Sequence, residues 1–127
     1  MAYDEALASR TRESLRDRRD VTERKMFGGL AFLVAGRMCC GIVGRDLMVR
    51  VGREAYESAL SEKHVRPMDF TGRPLRGMVY VAPAGLRTER ALEGWIDRGV
   101  RFTRSLAENA RPARKAGRRK PYPARSR

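Results

Sequence analysis

Between Met26 and Tyr80 the chain alternates short apolar runs with glycine turns. Three segments carry the pattern: Met26-Phe-Gly-Gly-Leu-Ala-Phe32, Gly44-Arg-Asp-Leu-Met-Val-Arg-Val-Gly52 and Arg66-Pro-Met-Asp-Phe-Thr-Gly-Arg-Pro74. Apolar runs this short suit strands rather than helices, and the glycines supply the turn conformations that other residues resist. Leu30–Val34 and Met38–Val43 are separated by Ala35-Gly36-Arg37, a hairpin signal with a glycine available for positive φ. Gly44-Arg45-Asp46 makes the next turn and Leu47–Val51 the third strand, with Leu47, Val49 and Val51 on one face and Met48 and Arg50 on the other. An antiparallel meander is the expected result.

Helical signals flank it. Tyr3, Leu7, Thr11 and Leu15 recur every four residues among charged ones, which predicts an amphipathic helix over 3–18. Gly52 ends the meander, and 53–61 reads as a short helix striped by Ala55, Tyr56, Ala59 and Leu60. Strands follow at 68–70 and 77–81, joined by Gly72-Arg73-Pro74. Thr88 is a good N-cap for a last helix reaching about Leu106, anchored by Trp95, the sole tryptophan. The predicted order is α-β-β-β-α-β-β-α. It specifies an α+β fold with a five-stranded, mainly antiparallel sheet and flanking helices.

A chain of 127 residues with 42% hydrophobic content suits one domain. No charge-poor apolar run is long enough to span a membrane. The acidic start, Met1-Ala-Tyr-Asp-Glu5, is wrong for a secretory signal, and two adjacent cysteines argue for a reducing compartment. A cytoplasmic protein is expected. The formal net charge of +13 is uneven: residues 111–127 hold eight Lys or Arg, no acid and three prolines. The expected division is a folded domain over 1–107 and a basic, disordered tail over 108–127.

The segments quoted above, together with Gly77-Met-Val-Tyr-Val81 and the closing Trp95 helix, resemble the TfoX N-terminal domain family. The likeness covers about residues 3–107. It implies an α+β fold like that of secretion chaperones, with a five-stranded sheet, and no known enzymatic activity. Two-domain members of the family are associated with transcriptional activation of DNA-uptake genes. Where those members carry a second, helical domain, this sequence has its arginine-rich tail.

Residues with chemical potential are few. Adjacent strand residues point to opposite faces, so of Cys39 and Cys40 one is expected in the core and the other against a helix or solvent. Neither is expected to be reactive, and two sulfurs with the distant His64 do not make a zinc site. His64, in a polar loop, has no serine or carboxylate at motif spacing. Gly28-Gly29 lacks the Lys-Ser/Thr of a phosphate loop and is expected to permit a bulge or close backbone packing. Asp69, with Arg66, Arg73 and Arg76 near it, forms the main polar cluster; its expected role is to hold an arginine across the hairpin or to cap turn N–H groups, with ligand binding as the alternative.

The tail gives the clearest partner signal. Arg114, Lys115, Arg118, Arg119 and Lys120 can neutralise phosphates without reading bases, and Tyr122 can stack on an exposed base. A solvated tail that aids solubility, or one that meets an acidic protein or lipid surface, is the competing reading. No enzyme, cofactor or metal is expected. The leading expectation is a regulatory module contacting nucleic acid non-specifically; the alternative is an adaptor that binds a regulatory protein or a second copy of itself.

Overall fold

In the computed structural model, which describes residues 3–26, 28–70 and 73–116, six strands rather than the expected five form one antiparallel sheet. In chain order the elements are α1 (Glu5–Leu15), β1 (Val21–Met26), β2 (Gly29–Val34), β3 (Arg37–Val43), β4 (Asp46–Arg50), α2 (Arg53–Leu60), β5 (Val65–Phe70), β6 (Arg73–Val81) and α3 (Glu89–Ala116). A 3-10 turn at Pro83–Leu86 leads into α3. The sheet order is β1-β2-β3-β4-β6-β5.

The additional strand is β1. None of its six residues is buried, so its sequence lacks the alternation of a half-buried strand. It is held by pairing with β2 from Val21↔Val34 to Met26↔Gly29. Its run Thr22-Glu23-Arg24-Lys25 sits on an outer edge, where charge discourages further strand pairing. Pro67, in β5, interrupts the opposite edge with a missing N–H, and the register shifts there between Pro67 and Asp69.

Inward residues of the central strands form one core. Leu30, Phe32 and Val34 of β2, Leu47 and Val49 of β4, and Val79 and Val81 of β6 join Leu7 and Leu15 of α1, Tyr56 and Ala59 of α2, and Leu92, Trp95, Ile96 and Val100 of α3. All three helices therefore share one face of the sheet. Each fully buried Leu, Ile or Phe contributes about 1.5–3 kcal/mol, so this layer supplies the main drive to fold. A small second layer lies on the opposite face, where Ala31, Leu33 and Met48 are buried. The Met48 methyl there lies 2.9 Å from where a Cβ on Gly41 would be.

Local chemistry fixes the helix ends. The Asp4 carboxylate accepts from the N–H groups of Ala6 and Leu7 at 2.9 and 3.2 Å, starting α1 later than the expected residue 3. Tyr3 makes a β-bridge with Gly44 instead. Thr88 caps α3 as expected, its hydroxyl accepting from Ala91 N–H at 3.0 Å. That helix continues to Ala116, past the expected end near Leu106 and into the segment assigned to the tail. Alanine and arginine are strong helix formers, and adding residues to an existing helix carries no new nucleation cost.

Candidate functional site

Three chain segments meet where β4 hands over to α2. Arg50, the last residue of β4, pairs with Met78 of β6. One step on, the N–H groups of Val51 and Gly52 both donate to the Gly77 carbonyl, at 2.8 and 3.0 Å. This pair of hydrogen bonds draws the backbones together at two glycines with φ of 91° and 95°. A Cβ on Gly77 would lie 3.2 Å from the Gly52 carbonyl carbon, and one on Gly52 would lie 2.5 Å from the Phe102 ring of α3. Glycine is required on both sides of the crossing.

The crossing gathers Arg50, Arg53 and Arg76 around a cavity of about 310 Å³, walled on its apolar side by Leu75, Met78 and Phe102. Arg50 is half-buried; its guanidinium donates to the Met38 carbonyl at 3.2 Å and lies 5.9 Å from the centre of the Phe102 ring. Burial, and then the neighbouring charge of Arg37, pull its pKa below the ordinary arginine value. Arg53 and Arg76 are exposed. All fifteen Asp and Glu side chains lie among the described residues, and none comes within 4.0 Å of these three guanidinium groups. Gly52 offers no side-chain cap to the first turn of α2.

A second cavity, about 430 Å³, lies between α2 and α3 along Ala55, Ser58 and Phe102. Its charge is settled internally. Arg98 bonds Glu62 through two hydrogen bonds of 2.8 and 3.2 Å and lies 4.1 Å from the centre of the Trp95 ring, which ties α3 to the turn that follows α2.

Two of the arginines expected around Asp69, Arg66 and Arg76, lie elsewhere, while the 71–72 turn is outside the described residues. Arg66 pairs with Asp46 at 2.6 Å and stacks 4.7 Å from the centre of the Tyr80 ring. The side-chain hydrogen bond to Asp46 raises the Arg66 pKa. Strand parity explains the choice: Asp46, Met48, Tyr80 and Arg66 follow the same side of the sheet through the Met48↔Tyr80 and Arg66↔Tyr80 registers. Arg76 turns to the three-arginine cavity. Asp69 makes no ion pair with a described side chain, and the Arg73 side chain lies outside the described residues.

The two cysteines depart from expectation for a clear reason. Register passes from Phe32↔Cys40 to Leu33↔Met38, leaving Cys39 as the extra residue of a bulge. Parity is broken there, and both thiols lie fully buried in the same core. A hydrogen bond to Cys39, followed by burial, pushes the Cys40 thiol well above its usual range. The Thr103 hydroxyl of α3 donates to the Gly99 carbonyl at 2.7 Å beside the pair. Gly99 makes room for the pair, since a Cβ there would lie 3.1 Å from Cys39 Sγ.

His64 is exposed, with φ of 70°, and its carbonyl accepts from Ala82 N–H at 2.8 Å. Gly28 adopts φ of 73° in the turn, and a Cβ on Gly29 would overlap the Ile42 carbonyl, the close backbone packing expected of that pair. Arg114 and Lys115 fall in the last turn of α3, with side chains outside the described residues; Arg118, Arg119 and Lys120 lie wholly outside them. Among the described residues, no three His, Cys, Asp or Glu side chains gather as a metal site would need. No described helix is long and apolar enough to cross a membrane.

The three-arginine cavity escapes motif reading because its members come from positions 50, 53 and 76, joined only by the β4–β6 pairing. The available signal is the repetition of arginine beside glycine, in Arg50-Val51-Gly52-Arg53 and Arg76-Gly77.

The model of the TfoX N-terminal domain matches residues 13–103, from the end of α1 through Thr103 of α3. No curated protein and no solved structure gives a match.

Proposed function

The chain belongs to the TfoX N-terminal domain family, and from that membership we propose a non-enzymatic regulatory module, linked to transcription, whose basic C-terminal segment contacts nucleic acid without reading sequence. One observation supports the contact most directly: residues 111–127 carry eight positive charges and no acid. Charges so spaced displace counterions from a phosphate backbone, which gives affinity that falls steeply with salt. Arg114, Lys115, Arg118, Arg119 and Lys120 are the residues assigned to it, and no cofactor enters. Burial of both thiols and the exposure of His64 away from any carboxylate are in keeping with binding rather than catalysis.

The test is fluorescence anisotropy with a labelled duplex across a salt series, comparing the full chain with a variant carrying glutamine at those five positions. Affinity should drop, and the slope of log K against log salt should flatten by up to about 4 units. Equal slopes and affinities would sink the nucleic-acid reading. A pull-down partner that survives nuclease digestion would then favour the adaptor.

A further inference from the structure

We propose that the cavity at the Gly52–Gly77 crossing is a binding site for a small phosphate monoester, with Arg50, Arg53 and Arg76 holding the phosphate and Phe102, Leu75 and Met78 receiving an apolar or aromatic group. The site contains no residue of the basic tail, and it stands whether or not that tail meets nucleic acid.

The starting observation is a charge imbalance. Eight arginines among the described residues have a carboxylate partner within 4.0 Å. Nine described arginines have no Asp or Glu within that distance, and three of the nine, Arg50, Arg53 and Arg76, line this one cavity. One of these three, Arg50, is half-buried, where an uncompensated charge costs most, and the like charge of Arg37 adds to that cost. Its only described polar contact is a neutral carbonyl, that of Met38. An anion in the cavity would give Arg50 the counter-charge it lacks, with the exposed Arg53 and Arg76 on the same lining.

Charge and shape narrow the class. A carboxylate neutralises one guanidinium, whereas a phosphate monoester carries nearly two negative charges at neutral pH and three acceptor oxygens. Guanidinium groups match that geometry through paired, charge-assisted hydrogen bonds. The remaining wall is apolar, and it includes Leu75, an exposed large hydrophobic residue. A volume of about 310 Å³ is at the small end for ligand pockets, enough for a phosphate and a ring-sized group. A nucleoside monophosphate has that composition.

Calorimetric titration of the full chain with AMP, inorganic phosphate and adenosine, in low-salt chloride buffer, tests the site. AMP should bind at one site per chain, phosphate more weakly, and adenosine not measurably. Arg53 and Arg76 are exposed, so the double variant R53Q/R76Q should keep the parent melting temperature while AMP affinity falls by more than about tenfold. The variant with glutamine at the five tail positions should bind AMP as the parent does, which separates this site from the tail. Absence of AMP and phosphate binding by the parent would overturn the assignment, as would equal affinity in R53Q/R76Q or binding of adenosine as tight as AMP. Loss of duplex DNA affinity in R53Q/R76Q, with no AMP binding by the parent, would assign the arginines to a polymer backbone instead.

Discussion

Gly52 and Gly94 make opposite demands, and alanine separates them. At Gly52 the backbone has φ of 91° and a Cβ would meet the Phe102 ring at 2.5 Å, so both conformation and space oppose a side chain. We expect G52A to lose about 2 kcal/mol or more in urea unfolding. Gly94 lies within α3 on an exposed turn with nothing inside 4 Å of its Cβ position, and there G94A should gain about 0.5–1 kcal/mol. The cysteines allow a second test at this scale. Both are fully buried, so a thiol reagent should label native protein far more slowly than a free thiol. Labelling should accelerate in parallel for both with denaturant; one fast site in native protein would contradict the packing. Their burial was legible from the apolar run Met38–Val43, but their shared side was not. A bulge changes parity without leaving a mark in composition.

At the scale of elements, the sequence was most readable where a residue type has one local use. Thr88 followed by Glu89 announced the start of α3, and T88A should cost about 1 kcal/mol by freeing the Ala91 N–H. A continuous apolar run marked β2, opposite faces marked β4, and glycines marked the turns at 36 and 44, both with positive φ. Strand β1 stayed hidden because recognition of strands relies on a buried face, and β1 has none. Its order comes from the edge of β2, a tertiary partner, and from the Arg12–Glu23 ion pair at 2.7 Å that ties it to α1. Arg66 and Arg76 left the expected Asp69 cluster for a related reason. Nearness of Asp69 to Arg66 and Arg76 in sequence says nothing about the side of the sheet each occupies, and Asp46, twenty positions from Arg66, claims that arginine.

The whole molecule divides along one line of hydrogen bonds. Strands β1 to β4 are joined by successive tight connections, as are β5 and β6, but β4 meets β6 only after the chain has passed through α2 and β5. That junction has four residue pairs, from Leu47↔Val81 to Arg50↔Met78, and the arginine cavity sits at its open end. Charge at this scale also bears on the tail. With eight of its net +13 in residues 111–127, the full chain should elute from a cation-exchange column at markedly higher salt than the variant with the five glutamines; co-elution would mean those charges are masked. The Gly52–Gly77 crossing has a mechanical meaning as well. It is the last stitch in the seam between a four-stranded and a two-stranded half, and a ligand gripping Arg50 and Arg53 from one half and Arg76 from the other would act as a staple. Amide exchange would then slow along Leu47–Arg50 and Met78–Val81 ahead of the rest of the sheet, making the seam the gauge of occupancy.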